Sequence, residues 1–244
     1  MLFRSTLTNL VELHDQGWNG IWCSILADRF AAAAIPRSSH ICGNPPWVKW
    51  SNLPKDYALS IQQHCRELGV FSADKWVGGI ESDISTVITY QSIKHYLAQN
   101  GRLGFFLPGS VFTTESSAGF RRFSIHNGSL SCSAQLVEDY QGIRPFDGVS
   151  NHPTFLMLRR DEATTFPVTY RSWVTDEKIR PNARIYASAD QFRCVAKRID
   201  GIAVPVPGGD GARPWLVGSV QDQAVFSKVF ARGAKPEYKA RKGI

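Results

Sequence analysis

The 244-residue sequence contains no long apolar run and no closely spaced pair of cysteines. A membrane-spanning helix needs about 18 consecutive residues that are apolar and uncharged, and no stretch approaches that length. Near the N-terminus, acidic and polar residues stand where a secretory signal would need an apolar stretch. These absences predict a cytoplasmic protein that has no membrane partner.

The five cysteines form no recognisable metal site or disulfide framework. They contain no CxxC pair, and no histidine stands at metal-ligand spacing from any of them. We therefore expect reduced thiols and no bound metal. They are Cys23, Cys42, Cys65, Cys132 and Cys194.

Positive charge is in excess, with 28 lysines and arginines against 21 acidic residues and a formal net charge of +7. A basic surface gains affinity for nucleic acid because it displaces counterions from the phosphates. The charge is therefore consistent with a nucleic-acid partner, although many basic proteins bind none.

Helix and strand signals alternate through the first part of the chain, and strands alone follow. This order predicts an α/β fold whose sheet ends in antiparallel edge strands. Helical patterns occupy Leu7–Leu13, Trp22–Phe30, Asp56–Leu68, Asp83–Leu97 and Ser116–Phe123. Strand patterns occupy Ser39–Gly43, Leu103–Leu107, Cys132–Val137, Thr154–Leu158 and Val168–Trp173.

The composition changes from about Arg180 onward, where proline, glycine and arginine become frequent. Val204–Pro214 is the clearest linker pattern, and a basic tail ends the chain. We predict a catalytic domain over residues 1–175, a linker over 176–214 and the start of a second domain over 215–244.

Asn44-Pro45-Pro46-Trp47 directly follows the first predicted strand. Such a turn presents two acceptors to a planar amine: the side-chain carbonyl of Asn44, and the backbone carbonyl of Pro45, which the following proline leaves free. The prolines stiffen the loop, and Trp47 supplies a flat face on which an extruded base could stack. The alternative is a rigid turn at a strand end, without chemistry.

These residues resemble the catalytic motif of adenine-specific DNA methyltransferases. The resemblance runs from about Trp22 to Arg160 and is strongest to type IIG-like enzymes of restriction-modification and phage-defence systems. The matching segments are Trp22–Ile35, Ile41–Val48, Glu81–Ser85, Asn100–Pro108, Ser116–Phe123 and Phe146–Asn151, with a weaker match in Tyr238–Gly243.

The resemblance implies the C-terminal half of a class I (Rossmann-like) methyltransferase sheet, with S-adenosyl-L-methionine as cofactor and double-stranded DNA as partner. It assigns Asn44, Pro45, Pro46 and Trp47 to the flipped adenine and its amine, and Asn44 and Asp83 to the cofactor. It places Phe146 on the other side of the base. For Asp83 a plain helix cap is the alternative, and for Phe146 a core position is the alternative.

Four basic residues are candidates for contacts to DNA phosphates, namely Lys49, Arg121, Arg122 and Arg144. Phosphate contacts by such side chains fix a protein on the duplex without reading its sequence. The alternative for each is a solvated surface charge.

The sequence departs from the family where the cofactor should bind. We find no glycine-rich strand-to-helix turn and no acidic strand end, and Ser39-His40 replaces the usual Phe-Asp pair. We therefore expect part of a larger enzyme, inactive alone, with an apolar sheet edge. A second polypeptide or a missing N-terminal part would complete the cofactor site.

Two other functions remain open. Methyltransferases that modify a glutamine of translation release factors also present Asn-Pro-Pro-aromatic to a planar amide. A degenerate methyltransferase fold could instead survive as an inactive DNA-binding or assembly subunit, as the missing cofactor residues would allow.

Overall fold

The computed structural model describes residues 2–17, 27–28, 31, 34–71, 82–126, 128–146, 151–175, 188–207 and 211–231. The chain divides into two compact units, Met1–Arg37 and Ser38–Ile244. The first contains helix α1 (Leu2–Asp15), which confirms the helix predicted there. Most of the second predicted helix, Trp22–Phe30, lies outside the described residues. In the described part of the chain, every helix is too short or too polar to cross a membrane.

The second unit is built around one sheet. Its strands are β1 (Ser38–Gly43), β2 (Leu97–Pro108), β3 (Ser124–Ile125), β4 (Leu130–Asp139), β5 (Pro153–Arg160), β6 (Val168–Val174), β7 (Lys197–Pro205) and β8 (Trp215–Gly218). Its α-helices are α2 (Lys55–Leu68), α3 (Ile84–Tyr96), α4 (Ala118–Arg121), α5 (Ala189–Val195) and α6 (Val220–Ala231). Short 3-10 turns occupy Trp50–Asn52, Gly109–Phe112 and Glu115–Ser117.

The strand order is β1-β2-β5-β4-β6-β7-β8, with β3 paired to β4. The pairs β1/β2 and β4/β6 are parallel, and the other pairs are antiparallel. Parallel neighbours need a crossover, and α2 and α3 supply it between β1 and β2. The prediction of an α/β fold with antiparallel strands is therefore confirmed.

Local signals explain the ends of α2 and α3. α2 follows Pro54, and Asp56, with which the predicted helix begins, lies in its first turn. In this position its negative charge interacts favourably with the positive end of the helix dipole. The helix ends at Gly69, whose φ of 79° is the left-handed conformation that glycine adopts without a Cβ clash. Asp83 caps α3, because its side chain accepts from the Ser85 N–H at 2.9 Å.

The hydrophobic core lies where α3 and β2 pack together. Alternation along β2 buries Leu103, Phe105 and Leu107 on one face of the sheet. Tyr90 of α3 is fully buried, and its hydroxyl donates to the carbonyl of Phe120 at 2.6 Å. This core fixes the end of β2, where the candidate site lies.

β1 is the first strand in the strand order and lies at one edge of the sheet. Among the described residues it pairs with β2 and with no other strand. Its exposed residues are Ser38, Ser39, His40 and Cys42, whereas Ile41 is half-buried. Within the described part of the chain this edge is thus open, but the expected apolar character is wrong, because the exposed side chains of β1 are mainly polar.

The region predicted as a linker differs from that expectation. Within residues 176–214 the structure contains α5 and β7, and β7 pairs with β6 in the main sheet. β8 then continues the same sheet, so residues 215–218 do not begin a separate layer. The prolines and glycines of this region indicated a linker, so the sequence did not predict these strands. The proline of β7 is its last residue, Pro205, a position at which a strand tolerates proline.

Candidate functional site

The site begins where β1 ends. Gly43 is the last residue of β1 and pairs in register with Phe105 of β2. A Cβ at Gly43 would lie 3.2 Å from Cε1 of Phe105, so a larger residue would crowd this ring. Beyond Gly43 the chain turns out of the sheet, with Asn44 exposed and Pro45 buried. The pairing of Gly43 with Phe105 therefore anchors the start of this turn, and Asn44 is exposed to solvent.

Trp47 is fixed to the neighbouring strand. Its indole Nε1–H donates to the backbone carbonyl of Phe106 at 3.1 Å, and the side chain is half-buried. The bond joins residues 59 positions apart in sequence, so it ties the loop after β1 directly to β2. The indole thus has a defined orientation beside Asn44.

Phe146 contacts Trp47. The two ring centroids are 5.8 Å apart and the planes meet at 86°, an edge-to-face contact. The structure brings together the two residues that the sequence assigned to base stacking, but not as parallel plates. A base stacked between them would require the two ring planes to become parallel.

Phe106 lies at the centre of this group and was missed in the sequence. Its ring centroid lies 5.1 Å from that of Phe146, 5.6 Å from Tyr140 and 5.3 Å from Phe155. The alternation along β2 was the available signal, since it places Phe106 on the face opposite Phe105. We call Trp47, Phe106, Phe146 and Tyr140 the aromatic cluster.

Asp83 and Lys49 lie together beside the loop. An antiparallel bridge joins the two residues, and the Ile84 N–H donates to the Val48 carbonyl at 2.9 Å. Asp83 is only 7% exposed, and burial raises the pKa of its carboxyl group although the Ser85 hydrogen bonds and the Lys49 charge oppose this. The structure therefore gives Asp83 the capping role that the sequence left open.

A second polar group lies at the ends of β2, β4 and β5. Asp139, the last residue of β4, accepts from His152 Nε2 at 2.5 Å, from the Gln141 N–H at 2.8 Å and from the Tyr170 hydroxyl at 2.9 Å. Burial alone would raise the pKa of Asp139, but these hydrogen bonds hold it below its usual value. The sequence offered no motif for this group, because its members are distant along the chain.

The four basic candidates have different surroundings. Lys49, Arg122 and Arg144 are exposed, and Arg144 lies two residues before Phe146. Arg121 is 1% exposed, and its guanidinium donates to backbone carbonyls inside the protein. The prediction that Arg121 reaches phosphates is therefore wrong: the side chain is part of the interior.

An exposed amide beside a fixed aromatic side chain suits recognition of a planar ring that carries an amino group. Asn44 contributes the amide, and Trp47 contributes the aromatic face. Arg144 and Lys49 are the exposed cations nearest to Phe146 and Trp47 in sequence. These features lie at the ends of the parallel strands β1 and β2, where sheets of this class commonly bind ligands.

No protein-family model matches this chain. Over 116 residues the chain is 34% identical to Type II methyltransferase M.HincII of Haemophilus influenzae, and equally to Type II methyltransferase M.HindII of Haemophilus influenzae strain Rd. The match covers 48% of this chain but 21% and 20% of those proteins. The chain thus spans about a fifth of the length of the curated relatives, and over the matched part it is homologous to type II methyltransferases.

Solved structures give more distant matches. The ATP-dependent Type ISP restriction-modification enzyme LlaBIII bound to DNA aligns with 80% of this chain and 13% of its own, at 14% identity and a TM-score of 0.44. A type I restriction-modification system methyltransferase subunit from Streptococcus thermophilus aligns with 65% of this chain and 30% of its own, at 13% identity and a TM-score of 0.39.

Proposed function

We propose that this chain is the catalytic part of a larger DNA methyltransferase that transfers a methyl group from S-adenosyl-L-methionine to the exocyclic amine of a flipped-out adenine. The observation that carries the proposal is the placement of exposed Asn44 beside Trp47, whose indole is bonded to the end of β2. Homology to type II methyltransferases supports it.

The amine of adenine is a weak nucleophile because its lone pair is delocalised into the ring. In the proposed mechanism the Asn44 side-chain oxygen and the Pro45 carbonyl accept the two amine hydrogens and localise that lone pair. Pro46 stiffens the turn, because its ring fixes its own φ and restricts the backbone of Pro45. The base must leave the duplex to reach these acceptors, and the aromatic cluster offers it apolar contacts.

The methyl donor is not held by the described residues alone. Asp83 was expected to contact it, yet this carboxylate is buried and accepts from Ser85. The sequence also lacks the glycine-rich turn and the acidic strand end that the family uses. The residues present therefore do not fit a complete cofactor site.

We assign the rest of the cofactor site to another part of the enzyme, or to a second polypeptide, which pairs with the open edge of β1. An unpaired edge offers N–H and carbonyl groups to an incoming strand. Asn44 follows β1 directly, so a strand added there would bring its own loops beside Asn44. The mainly polar side chains of β1 are consistent with an edge that does not aggregate before its partner strand pairs with it.

The accessibility of Cys42 tests this pairing. Cys42 and Cys194 are exposed, whereas Cys65 and Cys132 are buried, and burial raises their thiol pKa values to about 11 and about 12. In a Cys23→Ser background we expect a thiol reagent near neutral pH to label Cys42 and Cys194, and mass spectrometry of peptides to find the buried pair unlabelled.

Addition of the polypeptide that restores methylation should protect Cys42 and leave Cys194 reactive. Cys194 is the matched control. It lies in α5, between β6 and β7, and these two strands are in the half of the sheet that is far from β1 in strand order. Unchanged labelling of Cys42 in the active assembly would contradict pairing at this edge.

Transfer of labelled methyl groups tests the function itself. The assembled enzyme receives S-adenosyl-L-methionine with a radioactive methyl group, duplex DNA and a release factor, and the label in each fraction is counted. We expect the label in DNA. Label in the release factor would support the glutamine-modifying alternative, and salt-sensitive DNA binding without any label would support the inactive-subunit alternative.

A further inference from the structure

Asp139 connects the two ends of the segment that carries Phe146. This segment leaves β4 after Asp139 and enters β5 at Pro153. Through one carboxylate oxygen Asp139 accepts from Gln141, just after β4, and from His152, just before β5. The other oxygen accepts from Tyr170 of β6. One side chain therefore ties together both ends of this segment and a neighbouring strand.

The part of the segment between Asp139 and Phe146 is compact. The N–H groups of Ile143 and Arg144 both donate to the Tyr140 carbonyl, at 3.0 Å and 2.9 Å. Ile143 is buried, so this turn is packed into the protein. This packed turn connects Asp139 to Phe146, which contacts Phe106 and Trp47.

His152 also reaches the end of β2. Its carbonyl accepts from the Gly109 N–H at 2.7 Å, and a Cβ at Gly109 would lie 2.9 Å from the His152 ring. Gly109 lies three residues after Phe106, whose carbonyl holds Trp47. Asp139 is thus connected to both aromatic residues of the candidate base site: to Phe146 along the chain, and to Trp47 through His152 and β2.

We propose that Asp139 is a positioning residue, which sets the contact between Phe146 and Trp47 and thereby the affinity of the site for an adenine ring. It acts through Gln141 and His152 and does not touch the base. This inference rests on the proposed function, since it concerns the same base site.

The first readout is the NMR resonance of the Trp47 indole N–H in the isolated chain, assigned by its loss in Trp47→Phe. This resonance senses the ring current of Phe146, which lies edge-on to the indole. We expect Asp139→Ala to shift it and to weaken adenosine binding about tenfold. Asp139→Asn keeps an acceptor oxygen for Gln141 and His152, and should stay close to the unmutated chain on both measures.

Asp161→Ala is the matched control. Asp161 follows the opposite end of β5 and accepts from the Asn100 N–H of β2 at 3.2 Å, so its loss also removes a hydrogen bond between a carboxylate and a backbone N–H. It should lower the melting temperature without moving the Trp47 resonance or the adenosine affinity. If Asp139→Ala behaves like this control, Asp139 is purely structural and the proposal is overturned.

A double variant tests whether Asp139 affects adenosine binding through Phe146. In a Phe146→Ala background, Asp139→Ala should cause a smaller loss of adenosine affinity than in the unmutated chain, because the route through Phe146 is gone and only the route through His152 and β2 to Trp47 is left. Two independent and additive losses would contradict the proposal. If the unmutated chain binds no adenosine, the proposed function loses its base site, while the Trp47 resonance still decides whether Asp139 positions Phe146.

Discussion

Replacement of Asn44 by alanine is expected to lower the kcat of DNA methylation by about 100- to 1000-fold, the usual range for removing one preorganised polar contact to a reacting group. The side chain is exposed at the end of β1 and is one of the two proposed acceptors for the amine hydrogens. Because most contacts to DNA are made to its backbone, the KM for DNA should change little. The measurement is steady-state methyl transfer by the assembled enzyme.

Asn52→Ala is the matched control for this experiment. Asn52 is also exposed and lies in the 3-10 turn that follows the motif, so its loss removes the same chemical group a short distance away. The kcat of Asn52→Ala should stay within about twofold of that of the unmutated enzyme, because Asn52 is a surface residue that has no role in the proposed mechanism. An Asn44→Ala variant as active as Asn52→Ala would remove the amide from the mechanism.

Replacement of Arg121 by alanine should lower the free energy of unfolding by about 3 kcal/mol or more. Nε of Arg121 donates to the Ala212 carbonyl at 2.9 Å, and Nη1 donates to the carbonyls of Val111 and Thr114 at 2.8 and 2.7 Å. A hydrogen bond to a charged group contributes about 1.5 to 3 kcal/mol, and the buried carbonyls of Val111 and Ala212 would both lose this donor. Urea unfolding of the chain measures the change.

Arg122→Ala is the natural comparison because Arg122 is the next residue and is exposed. Its loss should change the free energy of unfolding by no more than about 0.5 kcal/mol. In thermal unfolding the Arg121 variant should melt about 6 to 12 °C lower, given the usual 2 to 4 °C per kcal/mol for a chain of this size. Equal stability of the two variants would contradict the structural role assigned to Arg121.

Much of the sheet could be predicted from apolar runs and their stop signals. β1, β4, β5 and β6 were each placed within about two residues, because each contains a short apolar run that a proline, a glycine or a polar turn flanks. β2 begins at Leu97, directly after α3, and runs past Asn100 and Gly101. Both residue types favour turns, and here they lie at an irregularity of the strand: the register with β1 shifts between Leu97 and Arg102, and the φ of Asn100 is 56°.

The residues from Lys197 onward show where pattern reasoning fails. β7 and β8 alternate only partly and lie among prolines and glycines, so the sequence indicated a linker. Trp215 of β8 is nevertheless buried and contacts Phe112 and Phe123, with ring centroids 4.9 Å and 5.9 Å away. A single buried aromatic anchors this strand, and no local periodicity reveals such a contact.

The candidate site was predictable in part, and for a physical reason. Asn44 to Trp47 are contiguous, so their spacing and chemistry are visible in the sequence. Phe106 and Asp139 act through contacts that only the fold creates. Arg121 and Arg122 are adjacent and chemically identical, yet consecutive helical residues point about 100° apart, so one is buried and the other is exposed.

The most direct test of the central claim is the identity of the methylated nucleoside. DNA treated with the assembled enzyme and S-adenosyl-L-methionine is digested to nucleosides and separated by liquid chromatography with mass spectrometry. The proposed function predicts N6-methyladenine that disappears with Asn44→Ala and persists with Asn52→Ala. N4-methylcytosine in its place, or N6-methyladenine that survives the loss of Asn44, would contradict the assignment of this chain to adenine methylation through Asn44.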